Sequence, residues 1–228
     1  MASDTKQRIL DVSEQLFADF GFAGTSLRKI IAAAGVNLAA VHYHFHSKEA
    51  LLEAVLVRRL EPLNRERLAR LQACEQQAGG KGPTPEGILE AFIGPPMRLI
   101  LNPSGEGRLF GKLVGRLHSE TGAFFAATAR KHFLPVFQRF SSALRRALPE
   151  VPVDELHWRM HYAVGVMAHT LTSWDRLGSM FGGVLNPLDI DAAVPRLVNF
   201  LAAGFRAPVV SGRMARRRAP RSRREKRA

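Results

Sequence analysis

The side chains with the most chemistry to offer lie in one stretch, Thr25 to Lys48, reading TSLRKIIAAAGVNLAAVHYHFHSK. On the short helix that starts at Asn37, Val41 and Phe45 point to one side. The opposite side presents Asn37, Leu38, Ala39, His42 and Tyr43. At the start of the preceding helix, Thr25 or Ser26 and the free backbone amides can hold a phosphate, because orphan N–H groups and the helix dipole both favour an anion there. This is the chemistry of recognising a polyanion, without bond making. The histidines offer little else. His42, His44 and His46 alternate, which on a helix throws successive members about 200° apart, so they cannot share one metal ion. His157 and His161 have a metal-compatible spacing, but Arg159 lies between them, with no catalytic Glu and no third ligand at helical spacing. There is no Gly-rich phosphate loop, nucleophile elbow or paired-acid motif. The expectation is therefore no catalytic residue, no metal, no cofactor and no enzyme.

Simple local signals position these groups. Leu27, Ile30, Ile31 and Ala34 recur at i, i+3, i+4 and i+7, one face of a helix that Thr25 or Ser26 can cap. Gly35 follows, where a left-handed stop costs least. Asn37 caps the second helix, with Val36 also turned inward, and Ser47 caps a third. Two short helices joined by a glycine turn form a helix-turn-helix, whose second helix enters the DNA major groove. Before them, Ile9, Val12, Leu16, Phe17 and Phe20 put one apolar face on a helix from about Thr5 to Phe20, ended by Gly21.

The stretch resembles the TetR family of bacterial transcription regulators. The residues that carry the resemblance are Gly21-Phe22, Thr25, Ile30, Ala33, Gly35-Val36, Val41, Tyr43-His44-Phe45 and Ser47-Lys48-Glu49-Ala50-Leu51. The resemblance implies that the exposed side of the second helix enters the major groove. It also implies that Tyr43, His44 and Lys48 contact phosphates, and that Arg28 reaches a base or a phosphate. A guanidinium can take guanine O6 and N7 together. One departure stands out. The tip reads Leu38-Ala39-Ala40 with no long polar donor, and His42 stands where the family often has an aromatic. Base reading then rests on thymine methyls, on DNA shape, and on Arg28, Asn37 or His42.

The chain has 228 residues and a formal net charge of +13. From Arg206 to Ala228 there are ten Lys/Arg and one Glu, so this segment carries +9 and the remainder +4. High basicity is a property of the tail, which has too little apolar content to offset ordering entropy and is expected to be disordered. No run of eighteen apolar residues exists to span a bilayer, and Met1 to Arg8 lacks the apolar core of a signal peptide. Cys74 is the only cysteine, which fits a reducing cytoplasm and a small apolar filler on a helix. The expected site of action is the cytoplasm, on the nucleoid.

The remaining pattern is helical, with no strand and no repeat. Leu51, Leu52, Val55, Leu56, Leu60, Leu63, Leu68 and Leu71 continue a helical period, which Pro62 is expected to kink or break. Thr84-Pro85-Glu86 starts a helix that Gly94-Pro95-Pro96 is expected to interrupt. Further helices are expected over about 108–119, over 123–148 with a bend at Pro135, over 154–177, and from a cap at Asp189 to near Gly204. The fold class is all-α: a DNA-binding domain over 1–50, a helical ligand-binding and dimerisation domain over 51–205, and the tail over 206–228.

LHSETG, FLPVFQRF and ALPEVPVDELHWRMHYAVGVMAHTL resemble the C-terminal domain of TetR-type regulators that answer long-chain fatty acids or acyl compounds. Phe92, Met97, Phe110, Leu113, Phe124, Phe125, Phe133, Phe137, Trp158 and Met167 are candidates to wall an apolar cavity, or are simply core. Arg98, Arg116, His118 and His161 are candidates for an anionic head group. The resemblance implies a homodimeric repressor on a pseudo-palindromic double-stranded DNA operator, paired through its last two long helices and released by an apolar small-molecule effector. Two alternatives stand beside it: a multidrug-type sensor, and an effector-independent architectural DNA-binding protein.

Overall fold

The computed structural model describes residues 2–102, 104–105, 107–117, 120, 122–184 and 189–209. Among them there are ten α-helices and no strand. In order they are α1 (Ala2–Phe20), α2 (Leu27–Ala34), α3 (Leu38–Phe45), α4 (Lys48–Ala78), α5 (Pro85–Leu101), α6 (Arg108–Leu117), α7 (Ala123–His132), α8 (Leu134–Ala147), α9 (Val153–Met180) and α10 (Ile190–Arg206). A single 3₁₀ turn, Gly79–Lys81, follows α4.

The apolar side chains form two clusters. The first gathers Ile9 and Phe17 of α1, Ile30 and Ala34 of α2, Val41 and Phe45 of α3, and Leu51 to Leu63 of α4. Ile100, Phe110 and Leu113 from the end of α5 and from α6 complete it. The second is built from Leu71, the buried face of α5, and α8, α9 and α10, with Phe140, Met160 and Phe205 at its centre. Helix α4 runs through both clusters, and α6 packs against α1. The two units therefore meet along α4 and where α1 packs on α6.

Prolines behave differently from the local rule. Helix α4 continues unbroken through Pro62, which lies on its exposed side. Helix α5 likewise runs through Gly94-Pro95-Pro96, all buried. The carbonyl that Pro96 leaves without a partner is that of Phe92, four residues back, and the Nε–H of Arg67 on α4 donates to it at 2.8 Å. A donor from another helix replaces the one proline lacks. At Pro135 the effect is larger than a bend: α7 ends at His132, Phe133 separates the helices, and Pro135 sits in the first turn of α8, where its missing N–H is harmless. Pro195 is carried inside α10.

Phe20 is 54% exposed instead of joining the inner face of α1, whose buried polar residues are Ser13 and Glu14. Glu14 is held by Arg58 and Arg59 of α4, the Arg59 Nε contact being 3.1 Å. Arg206 closes α10 and pairs with Glu86 at the start of α5, so the helical fold extends one residue past the expected start of the tail. Residues 210–228 of that tail lie outside the described residues.

Candidate nucleic-acid interface and cavity

The helix-turn-helix is built from short-range hydrogen bonds. Ser26, not Thr25, caps α2, its Oγ accepting from Lys29 N at 3.2 Å. Gly35 has φ 60° and ψ 41°. Its N–H reaches Ala32 O, and Val36 N–H reaches Ile31 O at 3.2 Å, so the turn is a Schellman stop that only glycine adopts without strain. Asn37 Oδ1 accepts from Ala40 N at 2.9 Å and caps α3. Val41 and Phe45 are buried, which leaves Leu38 (52% exposed), Ala39, His42 and Tyr43 (77% exposed) on the outer side. Arg28 is exposed on the first turn of α2, and His44 is half-buried with its ring edge-on to Tyr43, 5.0 Å between centroids.

The junction of α3 with α4 is a tight one. His46 has φ 63° and ψ −44°, among the described residues the one positive φ outside glycine. Ser47 N–H returns to Phe45 O at 2.7 Å across it, closing a γ-turn. The His46 carbonyl also faces His42 Nδ1 at 3.1 Å. Ser47 then caps α4 through Ala50 N.

Two of the expected DNA-facing residues turn inward. Thr25 is buried, and its hydroxyl sits within hydrogen-bonding distance of the carbonyls of Leu16 and Gly21, at 3.0 and 2.8 Å. Lys48 Nζ donates to Phe22 O and Thr25 O, both at 3.0 Å, and lies 4.1 Å from the centroid of the Phe22 ring. Thr25 ties the α1–α2 turn to the end of α1, and Lys48 fastens that turn to the start of α4. The helical period shows which face a residue occupies, but not that a carbonyl 23 residues earlier in sequence stands within reach of an ammonium.

The expected effector residues do not converge. Phe92 and Met97 are in the second core, Phe92 beneath the Arg67 guanidinium and against Phe140. Leu113 is in the first core. Phe133 stands exposed at the α7–α8 break. Trp158 and His161 are exposed on the outer side of α9, Trp158 stacked on Tyr162 with centroids 5.9 Å apart. Arg98 is paired with Glu90 at 2.6 Å, and His118 lies outside the described residues. Cys74 is half-buried, where burial first, and then Glu75, push its thiol up from its ordinary pKa. Among the described residues no group of three His, Cys, Asp or Glu side chains comes together as metal ligands would.

A cavity of about 1130 Å³ opens instead where the end of α1, the end of α5, α6 and α9 meet. Phe20, Ile100, Leu101, Leu171 and Trp174 supply its apolar wall. Arg108, Lys112 and Arg116 line it from α6, with Glu120 and Asp175 as acids. Of the expected effector residues that are described, only Arg116 is there. Two of its donors go to carbonyls of the last turn of α1: Nε reaches Ala18 O and Nη2 reaches Asp19 O, each at 2.7 Å. Lys112 Nζ pairs with the Asp19 carboxylate at 2.5 Å. That bond, then the amide of Gln15, holds the Asp19 carboxyl below its ordinary value. Gly111 and Gly115 explain the approach of α6. A Cβ on Gly111 would collide with the Ile100 side chain, and one on Gly115 would lie 2.9 Å from Thr172 Cγ2. The signal in the sequence is the run of small residues one helical turn apart, interleaved with cations.

The helix-turn-helix end of this architecture matches a model of bacterial regulatory proteins of the tetR family over residues 9–55, and a tetracyclin repressor-like C-terminal domain model matches residues 90–204. The chain belongs to the TetR family. It is a helix-turn-helix, DNA-binding transcriptional regulator. Among curated relatives, this TetR-family regulator is 40% identical over 62 residues to the HTH-type transcriptional regulator SrpR of Pseudomonas putida, covering 27% of this chain and 29% of SrpR. It is 43% identical over 54 residues to AcrR of Shigella flexneri, covering 24% and 25% of the two chains. The matched stretch thus spans well under half of those relatives. In fold, the TetR-family chain superposes on the fatty acid degradation regulator FadR from Bacillus halodurans with a TM-score of 0.66 at 14% identity, over 90% of this chain and 97% of that one. The transcriptional regulator FadR from Bacillus subtilis, solved in complex with stearoyl-CoA, gives 0.64 at 14% identity, over 87% and 98%.

Proposed function

We propose that this TetR-family regulator is a homodimeric repressor, released from a pseudo-palindromic operator by a largely apolar effector of the fatty-acid or acyl-CoA kind. The observation that carries the reading is the cavity against the end of α1, the helix that backs the helix-turn-helix. A ligand there touches both units at once, and it shifts the operator equilibrium only by favouring one arrangement of them. The likeness in fold to a FadR solved with stearoyl-CoA supports the effector class.

In this reading residues 1–50 form the DNA-binding domain and 51–205 the ligand-binding and dimerisation domain. Arg28 reaches a base, Ser26, Tyr43 and His44 hold phosphates, and Leu38, Ala39 and His42 face the groove. Asn37, Thr25 and Lys48 act by shaping the unit. Trp158, Tyr162 and Phe200, each more than half exposed, give α9 and α10 the apolar surface for a second copy. The site of action is the chromosome, in the cytoplasm.

A titration of operator binding with acyl chains from about C4 to C18 tests this, since each buried methylene adds about 0.8 kcal/mol. Affinity should climb with chain length until the cavity is full. Release by cationic dyes with a flat response to chain length would favour the multidrug-type sensor. A footprint that spreads along DNA without a bounded palindrome would favour the architectural reading.

A further inference from the structure

Helix α6 carries Arg108, Lys112 and Arg116 at i, i+4 and i+8, one above another on the face that lines the cavity. Gly111 and Gly115 let α6 lie against α5 and α9, which sets that cationic stripe beside the apolar wall. The three cations differ in what holds them. Arg116 donates to two backbone carbonyls, and Arg108 makes no ion pair among the described residues. Lys112 holds one carboxylate, that of Asp19 in the last turn of α1. A cavity with an apolar wall, edged by three cations against the two acids Glu120 and Asp175, suits an amphiphile with an anionic head. Arg116 and Lys112 both reach α1, the helix behind the helix-turn-helix, but only Lys112 is held there by a carboxylate, the kind of partner an anionic head can replace.

We propose that Lys112 is an exchange point: the anionic head group of the effector takes the Lys112 ammonium from Asp19, and the loss of that ion pair loosens α6 from the end of α1. This deepens the reading of the protein as an effector-released repressor and rests on it. The shared chemistry of the head is a carboxylate or a phosphate. The exchange is reciprocal by linkage: holding α1 in its operator-bound arrangement keeps Asp19 on Lys112 and opposes the effector.

The experiment uses the full chain, with calorimetric binding of palmitate, palmitoyl-CoA and hexadecanol, and operator release by each. Wild type should bind the two anions about tenfold more tightly than the alcohol, the size of one charge-assisted hydrogen bond. Lys112→Gln should abolish that preference while leaving hexadecanol binding in place, and Lys112→Arg should restore it. Asp19→Asn, which removes the competitor, should tighten anion binding about fivefold and shrink the effector's effect on operator affinity. Palmitate against palmitoyl-CoA separates a carboxylate head from a phosphate-bearing one. If Lys112→Gln binds palmitate like wild type, or Asp19→Asn changes neither quantity, the exchange is overturned while an effector site elsewhere still stands. If wild type binds none of the three, the effector reading itself falls and the exchange with it.

Discussion

The Nε–H of Arg67, on α4, donates to the main-chain carbonyl of Phe92, on α5, at 2.8 Å, with the guanidinium 4.7 Å from the centroid of the Phe92 ring. Arg67 is 5% exposed, and burial alone pushes its pKa down to about 10, so it stays charged at neutral pH. The cation has no carboxylate partner among the described residues; Asn64 Oδ1, at 3.3 Å, is its other acceptor. Its place is explained by Pro96, which cannot donate to Phe92 O. Arg67→Met should therefore destabilise the fold by about 1–3 kcal/mol, the cost of an unpaired buried acceptor. Pro96→Ala in the same chain returns an N–H to that carbonyl and should recover part of the loss in a double-mutant cycle by urea denaturation. Strict additivity of the two changes would disprove the pairing.

Lys48 and Arg28 should separate cleanly. Lys48→Met removes two bonds that fasten the α1–α2 turn, so it should lower the melting temperature and weaken operator and random DNA together. Arg28→Ala should leave the melting temperature in place and relax preference at one base pair per half-site, by about 1–3 kcal/mol. Binding-site selection on both variants, beside thermal melts, reads the difference.

His46 sits at a positive φ that costs a residue with a Cβ about 1–3 kcal/mol. His46→Gly removes that cost but frees the unfolded chain and loses the side chain. A rise in melting temperature is the expected result, and an equal fall would mean that the imidazole contributes more than the strain.

Acid should loosen the packing of α7 and α8 on α4. Glu53 is held below its ordinary 4.5 first by Lys131 and then by His132, and Glu75 by Arg139 and then Arg146. Both carboxyls are depressed in the folded state, so their contribution is complete above about pH 4.5 and is lost as pH falls through the lower folded values. Glu53→Gln and Glu75→Gln should each flatten the acid limb of a stability–pH curve, measured by urea denaturation between about pH 6 and 3.

Residues 210–228 carry nine Lys/Arg and one Glu, a charge of +8. Removing them should reduce the salt dependence of DNA binding by about 0.9 in log–log slope for each phosphate that the tail neutralises. Operator and random DNA should weaken alike, with their ratio kept. Anisotropy titrations across salt measure this, and an unchanged slope would mean the tail does not touch DNA.

What the sequence determined by itself lies within about one helical turn. The caps at Ser47 and Asn37, the glycine stop at Gly35 and the apolar faces of α2 and α3 are each decided by residues two to four positions apart, which is why they stand where the pattern puts them. So do the family motifs, which are local strings. Tertiary structure decided what long separations bring together. It turned Lys48 and Thr25 inward, met the carbonyl that Pro96 frees in α5 with a donor from Arg67, and divided the aromatics expected around one cavity between two cores and the surface. It also gathered Lys112 and Asp19, 93 residues apart, at the cavity's edge. Periodicity reports that a face exists. Which face, and which charge is left facing a ligand or DNA, depends on packing between helices that no local window contains.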